Sequence, residues 1–193
     1  MQALYRDIKG RAAKLGREPS GIKIMPAALV LVADSVGEAQ DRRAHLDSLV
    51  NSDSAIAALS IALGHDASKF DPDAPLPDVP ESNQSKSGRE RAVALGKREN
   101  LTVRQLAQRL GGYSGNAFTG TAQSIADEMQ EWFEAEACDG FTVMFPYLPD
   151  GLHDFVNKLV PELQRRGLLR TTYDGSTLRE NLGLPRPENR FFS

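Results

Sequence analysis

The sequence predicts an α/β protein of the parallel β–α type with an incomplete sheet. Two apolar runs, residues 22–33 and 141–148, are bounded by polar residues and have the composition of buried parallel strands. Helical patterns precede and follow each run, and this alternation is typical of parallel sheets. Two parallel strands cannot cover both faces and both edges of a sheet. Most strands are therefore expected to be missing, and the isolated chain is expected to be partly molten or to self-associate.

Helix-start signals place helices around these strands. The first helix is predicted over residues 3–15, ahead of the first strand. Ser35 and Glu38 have the spacing of a capping box at the start of the second helix. The strongest helical pattern begins at Thr121 and aligns four apolar residues on one face: Ile125, Met129, Trp132 and Phe133. This helix is expected to pack on the sheet, with Trp132 in the core.

The chain after the second strand is predicted to form one more helix and a tail. The helix begins near Asp150 and is expected to bury five apolar residues: Leu152, Phe155, Val156, Leu159 and Leu163. Met144, within the second apolar run, is also expected in the core. Residues 168–193 lack such a pattern, so they are expected to form an extended tail that wraps around another structure.

The middle of the chain combines short helices with a long irregular segment. Residues 53–64 and 86–99 are predicted helices, and Thr102 with Gln105 predicts a capping box for another. Residues 65–88 contain four prolines among acidic and amide side chains. Long irregular segments in compact domains are usually functional lids or disordered. This segment is therefore expected to lie at the surface.

Composition and motif content exclude several classes of protein. A net charge of −3 without a basic stripe argues against a nucleic-acid partner. No apolar run approaches the roughly 20 residues that span a bilayer, and the charged N-terminus lacks the apolar core of a secretory signal. The single cysteine, Cys138, excludes an intramolecular disulfide and favours a reducing, cytoplasmic location. No metal-ligand spacing, P-loop or nucleophile-elbow motif is found.

Four stretches of the chain resemble one group of bacterial flavin enzymes. They read DIKGRAAKLGREPSGIKIMP, LTVRQLAQRL, GTAQSIADEMQEWFEAEACDGF and VPELQRRGLLRTTYDGSTLRENLGLPRPENR. Together they resemble the nitrilotriacetate, dibenzothiophene-sulfone and pristinamycin monooxygenase group of the bacterial luciferase-like superfamily. The resemblance covers nearly the whole chain, and its tail motif is specific.

The resemblance implies the C-terminal portion of a luciferase-type (β/α)8 TIM barrel. Residues 22–33 would be strand seven and 141–145 strand eight, with strands one to six absent. Residues 1–193 would form one partial barrel domain, with an insertion or lid region at 51–120 and an extended tail at 168–193. The Gly-Ser-Ser segment that holds the flavin phosphate in the family has no counterpart here.

The resemblance also implies a flavin-dependent oxygenation. In the family, reduced FMN from a separate flavin reductase reacts with O2, and a small organic substrate is oxygenated. The cofactor carries that chemistry, while the protein supplies orientation and a dry pocket. Because the phosphate-binding segment is absent, the isolated chain is not expected to bind FMN with useful affinity.

Tyr147 is the first candidate for a catalytic residue. It follows the predicted strand eight, at the end of the barrel where (β/α)8 enzymes carry their active sites. In related alkanesulfonate monooxygenases a tyrosine just past this strand lies near the flavin ring. The alternative is that residues 145–147 form an aromatic strand end that packs under the lid.

Arg109 and Asn116 are candidates for cofactor binding. They lie in the return segment of the insertion, where related enzymes carry a mobile arginine that closes over the flavin. Glycines on both sides would supply hinges for such a lid: Gly111, Gly112, Gly115 and Gly120. The alternative for Arg109, which general considerations favour, is a solvated residue at a helix end.

His65 is the second candidate for catalysis. It opens the irregular segment, and some relatives place a histidine there over the substrate pocket. A lone histidine is more often a capping or structural group, although the residue type suits acid–base work. His45 and His153 are expected on helix surfaces without a role, and Cys138 is expected to be a small buried packing residue.

Two classes of function remain open. The first is the C-terminal part of an FMNH2-dependent monooxygenase, inactive alone and a possible homo-oligomer. The second is a non-catalytic truncated product, or a partner that complements an N-terminal barrel fragment. Ala27, Ala33 and Ala122 stand where the family commonly has Gly, Gly and Pro, which indicates relaxed constraint.

Overall fold

The computed structural model of the chain describes residues 1–84, 86–112, 116–189 and 191, and only the backbone of residues 112 and 116. The chain divides into two compact units. The first, here called the sheet unit, comprises Met1–Ala39 and Asn116–Ser193. The second, here called the helical unit, comprises Gln40–Gly115. Each unit has a hydrophobic core of its own.

Helices and strands alternate through the chain as the sequence predicts. The elements of the sheet unit are α1 (Gln2–Lys14), a 3-10 turn (Pro19–Gly21), β1 (Ala27–Val32), β2 (Asn116–Gly120), α6 (Ala122–Glu134), β3 (Thr142–Met144), α7 (Asp150–Asp154), a π-helical turn (Phe155–Leu159), α8 (Val160–Arg165) and α9 (Leu178–Asn181). Helix α2 (Val36–Ser48) runs from the sheet unit into the helical unit. The remaining elements of the helical unit are α3 (Ser52–Leu63), a 3-10 turn (Ala67–Lys69), α4 (Lys86–Glu99) and α5 (Val103–Gly112).

The strands form one parallel sheet in the order β2-β1-β3. Ala28 pairs with Asn116 on one side of β1, and Ala27 pairs with Thr142 on the other. Both predicted strands are confirmed, but each is shorter than its apolar run. Proline cannot donate to a sheet ladder, and Pro26 and Pro146 lie just outside β1 and β3. The apolar residues beyond them are therefore not part of the strands.

The sequence does not predict strand β2, because its pattern indicates only two strands. Residues 116–120 read NAFTG, a short run with one large apolar residue, in a stretch rich in glycine. Such a glycine-rich stretch predicts a turn more strongly than five residues with one large apolar side chain predict a strand. The pairing with β1, from Ala28–Asn116 to Val32–Gly120, stabilises the strand. Tertiary pairing thus overrides the local signal.

The order of the strands leaves two outer edges. β1 and β3 are neighbours, as sequential order requires of barrel strands seven and eight. β2 lies on the other side of β1, a position that the resemblance assigns to no residue of this chain. Within the described residues, no strand pairs with the outer edge of β2 or of β3. Unpaired edges are sites of association, so self-association of the isolated chain remains a prediction.

One face of the sheet is covered by helices. Ala28, Val30 and Val32 alternate along β1 and lie in one buried cluster with Phe118 of β2. Helices α6 and α8, with the π-helical turn between α7 and α8, contribute the opposing residues: Ile125, Ala126, Met129, Leu159 and Leu163. The Phe118 ring makes edge contacts with Trp132 and Phe141, at centroid distances of 5.7 and 5.5 Å. Trp132 therefore packs against the core, as predicted.

The other face of the sheet is only partly covered. Leu29 of β1 is paired with Ala117 and with Met144, so these three side chains form one row on that face. Leu29 is buried, whereas Ala117 and Met144 are exposed. The prediction that Met144 lies in the core is therefore wrong. The reason is the two-residue period of a strand, which turns Met144 away from the helices that cover Val143.

The helix that follows β3 buries fewer residues than predicted. Leu159 and Leu163 are buried and Phe155 packs against the same core, as expected. Leu152 and Val156, however, remain 39% and 47% exposed, so the prediction of their burial is wrong. The helix packs against β1 and α6 through the side that carries Leu159 and Leu163, and Leu152 and Val156 lie outside that contact.

The predicted helix caps are present. Ser35 Oγ accepts the Glu38 N–H at 3.1 Å, and the Glu38 carboxylate accepts the Asp34 N–H at 3.0 Å. Thr102 and Gln105 form the reciprocal pair of a capping box. Thr121 forms a similar box with Ser124 at the start of α6. These bonds satisfy backbone groups that a helix start leaves unpaired.

The helical unit packs α3 against α4 and α5. Its core consists of small and branched residues: Ala55, Leu59, Leu63, Ala67, Val79, Ala92, Val103, Leu106 and Ala107. A Cβ at Gly111 would lie 2.7 Å from the Ala55 backbone, so α5 approaches α3 at this point as only glycine permits. Asn51 caps α3 by accepting the N–H groups of Asp53 and Ser54.

The proline-rich segment is packed rather than loose. Ala67 and Val79 lie in the core of the helical unit, and Phe70 and Leu76 pack against it. Its backbone is also anchored, since the Val103 N–H donates to Ala74 O at 2.9 Å. Most residues of the segment are exposed, so the expectation of a surface segment is confirmed, although its few apolar residues contribute to the core. A lid function for residues 51–120 remains a prediction.

Among the described residues, no single helix is long and apolar enough to cross a membrane. One pair of helices, Val36–Ser48 with Ser52–Leu63, reaches the required length and composition only when taken together, across an 89° bend. Leu59 and Leu63 of that pair are fully buried in the core of the helical unit.

Candidate functional site

The carboxyl ends of the three parallel strands define the candidate site of the sheet unit. Parallel strands end at the same edge of a sheet, and α/β enzymes place their sites there. The residues that follow the strands are Asp34 and Ser35 after β1, Thr121 after β2, and Tyr147 after β3. This set is here called the carboxyl edge. Only Tyr147 among them was a candidate from the sequence.

The Tyr147 ring lies beside the start of the helix that follows β3. Gly151, in the first turn of α7, is buried, and a Cβ at this position would lie 3.8 Å from the Tyr147 ring. Phe145 makes an edge contact with Phe155 at a centroid distance of 5.4 Å. The ring of Tyr147 is thus packed at the carboxyl edge and only partly exposed. This placement suits both interpretations of Tyr147, packing and chemistry.

A cluster of charged residues at the carboxyl edge was missed by the sequence analysis. Lys158 Nζ lies 2.7 Å from Asp34 Oδ1 and 3.0 Å from Asp154 Oδ1. The hydrogen bonds that Lys158 donates to Asp34 and Asp154 raise the pKa of Lys158 above its ordinary value. Asp34 could have been singled out because it directly follows a buried strand. Lys158 could not, because 124 residues separate it from Asp34 and only the fold brings them together.

The serine and threonine hydroxyl groups of this edge are used in helix capping. Ser35 caps α2 and Thr121 caps α6, and each accepts a backbone N–H. Three carboxylates, of Asp34, Glu38 and Asp154, accompany the ammonium group of Lys158. A flavin phosphate requires free N–H donors or cations. These residues therefore do not fit the phosphate of FMN.

His65 has a structural contact in the helical unit. It follows Gly64, which ends α3 in the left-handed conformation at φ 69°. The His65 ring Nε2 lies 3.0 Å from Pro80 O, so the imidazole joins the start of the proline-rich segment to its last proline. A Cβ at Gly64 would crowd the side chains of Ser82 and Gln84, and the positive φ also favours glycine at this position. A catalytic role for His65 remains a prediction.

Arg109 and Asn116 lie in different units. Arg109, near the end of α5 in the helical unit, is about half exposed, and its Nη2 lies 3.7 Å from Glu99 Oε2. Hydrogen bonding from Arg98 and the charge of Arg109 lower the pKa of Glu99. Asn116 begins β2 in the sheet unit and pairs with Ala28, but its side chain lies outside the described part. Cofactor binding by either residue remains a prediction.

Metal and thiol chemistry find no support among the described residues. No group of three or more His, Cys, Asp or Glu residues there could hold a metal ion. Cys138 is buried, and its burial raises the pKa of the thiol, which disfavours the thiolate. The prediction that Cys138 is a small packing residue is confirmed by its burial.

A second polar cluster lies at the opposite, amino end of the sheet. Asp139, three residues before β3, accepts hydrogen bonds from Tyr5 Oη at 3.0 Å, Lys9 Nζ at 3.1 Å and Ile24 N at 2.7 Å. Lys9 also donates to Pro19 O and Ile22 O. Helix α1 is thereby joined to the segments that enter β1 and β3. Interactions at the amino end of a barrel serve stability rather than chemistry in such folds.

This cluster predicts an acid-sensitive sheet unit. Burial alone would raise the pKa of Asp139, but its hydrogen bonds with Ile24, Lys9 and Tyr5 lower it overall. A lowered carboxyl pKa stabilises the fold above the ordinary value of 3.8, and this stabilisation is lost as pH falls through the folded-state pKa. We expect Asp139→Asn to cost about 1–3 kcal/mol at pH 7, because charged acceptors are lost.

Urea unfolding followed by the fluorescence of Trp132, the single tryptophan, measures that loss in the sheet unit. Asp7→Asn is the matched control. Asp7 pairs with Arg11 on the same helix as Tyr5 and Lys9, but it is half exposed, so its loss should change stability by less than about 0.5 kcal/mol. Equal midpoints for the two variants at pH 7 would argue against a stabilising role of Asp139.

No family profile matches the chain, but individual relatives do. Nitrilotriacetate monooxygenase component A of Aminobacter aminovorans is 49% identical over 191 residues, 97% of this chain and 42% of the relative. A pristinamycin IIA synthase polypeptide of Streptomyces pristinaespiralis is 44% identical over 96% of this chain and 44% of its own length. Dibenzothiophene-sulfone monooxygenase of Rhodococcus erythropolis is 35% identical over 97% of this chain and 43% of the relative.

Solved structures give the same correspondence. DmoA from Hyphomicrobium sulfonivorans matches 94% of this chain with a TM-score of 0.79 and 29% identity, and the match covers 38% of that protein. Riboflavin lyase RcaE, solved with modified FMN and riboflavin, matches 94% of this chain with a TM-score of 0.75 and 29% identity over 40% of that protein.

The fold and these matches define the chain as a portion of a luciferase-like (β/α)8 barrel, as the resemblance predicted. It is homologous to the nitrilotriacetate, pristinamycin IIA synthase and dibenzothiophene-sulfone monooxygenases. The chain spans less than half the length of these relatives.

Proposed function

We propose that this chain is the C-terminal part of an FMNH2-dependent monooxygenase and is inactive alone. The single observation that carries the proposal is the 49% identity to nitrilotriacetate monooxygenase component A over 97% of this chain. That similarity covers 42% of the relative, so the remainder of the active site would come from the N-terminal part of a barrel. The described residues of the carboxyl edge do not fit the phosphate of FMN, which supports a flavin site completed by the N-terminal part.

The substrate and partner follow from the same comparison. We propose a small organic substrate that is oxygenated with O2. The nitrilotriacetate and pristinamycin relatives are each named as one part of a larger system, which supports a separate flavin reductase as the partner that supplies reduced FMN. A cytoplasmic location is consistent with the single, buried cysteine.

We assign the catalytic role at the carboxyl edge to Tyr147. Its ring is half-buried and lies beside Gly151 in the first turn of α7. A hydroxyl in such a place can donate a hydrogen bond to a reacting oxygen atom, and preorganised donors are a main source of catalysis. His65 is assigned a second, acid–base role, which would require its contact with Pro80 O to open.

Arg109 and Asn116 are assigned to cofactor binding. The ion pair of Arg109 with Glu99 is long, at 3.7 Å, and exposed. Exposed ion pairs contribute only about 0–1 kcal/mol. Arg109 could therefore exchange Glu99 for an anionic cofactor at little cost, which is what a closing arginine requires.

A flavin titration tests this proposal. The test uses this chain and a barrel chimera, defined as the Aminobacter aminovorans protein with its homologous C-terminal region replaced by this chain. The isolated chain should not bind FMN at micromolar concentrations, because the phosphate normally anchors the flavin through backbone N–H groups. The barrel chimera should bind FMN more tightly than riboflavin, which lacks the phosphate.

Calorimetry or quenching of flavin fluorescence measures both affinities. Riboflavin serves as the control ligand. It has the flavin ring without the phosphate, so the difference between the two affinities measures the contribution of the phosphate. Micromolar FMN binding by the isolated chain would contradict the proposal that the N-terminal part supplies the phosphate-binding residues. A barrel chimera that folds and binds neither flavin would contradict the proposed function itself.

A further inference from the structure

We propose that Lys158 is a positioning residue for Tyr147, because it ties the end of β1 to the helix that follows Tyr147. This inference rests on the proposed function and deepens it by naming a further residue on which the oxygenation depends. The tie consists of the Lys158 ammonium group and the carboxylates of Asp34 and Asp154, and is here called the lysine bridge. Lys158 acts through Tyr147 and is assigned no contact with substrate or cofactor.

The sheet ladder ends before the segment that carries Tyr147. The last pair between β1 and β3 is Leu29–Met144, and β1 continues three residues further, to Val32. Pro146 has no N–H with which to extend the ladder along β3. The position of Tyr147 relative to the end of β1 therefore depends on contacts other than strand pairing.

The lysine bridge crosses the carboxyl edge where this ladder has ended. Asp34 follows the end of β1, and its Oδ1 atom lies 2.7 Å from Lys158 Nζ. Asp154 belongs to α7, and its Oδ1 atom lies 3.0 Å from the same Nζ atom. One ammonium group thus joins the end of β1 to the helix whose first turn, at Gly151, lies beside the Tyr147 ring.

Both carboxylates of the bridge belong to defined parts of the backbone. The Asp34 N–H donates to the Glu38 carboxylate at 3.0 Å, at the start of α2. Asp154 lies four residues before Lys158 on the same helix, and its side chain is only 18% exposed. The Asp34 side chain is 75% exposed. The bridge therefore connects a mostly buried carboxylate of the helix to the solvent-facing end of β1.

A wide helical turn carries Lys158. Pro161 has no N–H, so a regular α-helix would leave the carbonyl four residues before it without its usual donor. Residues Phe155–Leu159 form a π-helical turn instead, and the Val160 N–H donates to Phe155 O. Turns of this kind are rare and occur often at functional sites. The turn is thus a second feature that distinguishes the helix at the position of Lys158.

The lysine bridge is suited to setting geometry more than to adding stability. Ion pairs with an exposed partner contribute little to the free energy of unfolding, because solvent screens them. A small displacement of a group that takes part in a reaction, by contrast, lowers the rate strongly. The raised pKa of Lys158 keeps the ammonium group charged throughout the neutral pH range, so the bridge is present under the conditions of catalysis.

A double-mutant cycle in the barrel chimera tests the positioning role. Lys158→Met removes the ammonium group and keeps an unbranched side chain. It should lower product formed per reduced flavin on the order of 10-fold and raise hydrogen peroxide release, because Tyr147 would be displaced from the reacting atoms. In the Tyr147→Phe background the same substitution should have little further effect, since both changes remove the same contribution.

Lys158→Arg and Arg11→Met are the matched controls. The arginine variant keeps a cation that can bind both carboxylates, so its product yield should remain within about twofold of the parent. Arg11 lies on α1, is exposed and pairs, like Lys158, with a carboxylate four residues before it. Arg11→Met should therefore leave the yield unchanged. An equal loss of yield from Lys158→Met in the parent and in the Tyr147→Phe background would overturn the positioning role.

Hydrogen exchange in the barrel chimera tests the bridge independently of any chemistry. Amides of residues 34–37 and 150–154 should exchange faster in Lys158→Met than in the parent or in Arg11→Met. Equal exchange in the three proteins would overturn the inference. An active chimera whose product yield Lys158→Met leaves unchanged would overturn this inference alone. Faster exchange in a chimera that forms neither product nor peroxide would support the bridge and contradict the proposed function.

Discussion

Tyr147→Phe in the barrel chimera is expected to lower product formation on the order of 10–1000-fold, the range typical for loss of one preorganised donor. Phenylalanine retains the ring, so its packing against Gly151 and the position of the following helix should be preserved. Only the hydroxyl is lost. The thermal midpoint of the variant should therefore match that of the parent.

The measurement is product formed per reduced flavin consumed, with hydrogen peroxide release measured in parallel. Loss of the hydroxyl should shift consumption of O2 from product to peroxide. Tyr173→Phe is the control, because it removes a hydroxyl from a tyrosine that is 81% exposed. If Tyr147→Phe retains the product yield and turnover of the parent, Tyr147 is a packing residue and has no catalytic role.

Leu59→Ala is expected to destabilise the helical unit by about 2–5 kcal/mol, the cost of a leucine removed from a packed core. Leu59 lies in the middle of α3 and is fully buried among residues of α4 and α5. The helical unit has its own core, so the loss should be confined to it. Amide exchange in α3 and α5 measures the opening free energy of this unit directly.

The matched control lies two residues along the same helix. Ile61 is 73% exposed, so Ile61→Ala should change the opening free energy by less than about 0.5 kcal/mol. Exchange in β1 and α6 should be unaffected by either variant. A similar loss in both variants, or a loss spread over both units, would show that the helical unit is not an independent core.

Periodicity and capping predict the helices of this chain well because those signals are local. The box at Thr102 and the helical pattern from Thr121 mark the starts of α5 and α6 within one residue. The apolar runs mark β1 and β3 but overestimate their lengths. An apolar run indicates which residues are buried. The ends of a strand depend instead on which residues can form backbone hydrogen bonds with a neighbouring strand.

Features that depend on distant partners could not be predicted. Strand β2 exists because β1 lies beside it, and its own sequence reads as a turn. The exposure of Leu152 and Val156 depends on which elements are present to cover them, although the helical pattern itself is correct. A sequence pattern identifies the apolar face of a helix. It does not show whether another part of the same chain packs against that face.

The candidate site was only partly accessible to sequence reasoning. Tyr147 was found because the end of a buried strand is a local signal, and the strand is present. The ion pairs of Lys158 with Asp34 and Asp154 join positions far apart in the chain and carry no motif. The roles of His65, Arg109 and Asn116 came from resemblance to a family, and they remain predictions.

The most direct test of the account is oxygenation by the barrel chimera. The chimera, supplied with reduced FMN, O2 and nitrilotriacetate, should form the oxygenated product, whereas the isolated chain under the same conditions should form none. The Aminobacter aminovorans protein provides the positive control, and the same protein cut before the homologous region provides the negative one. A folded, flavin-binding chimera that forms only hydrogen peroxide would contradict the claim that this chain supplies a working part of a monooxygenase site.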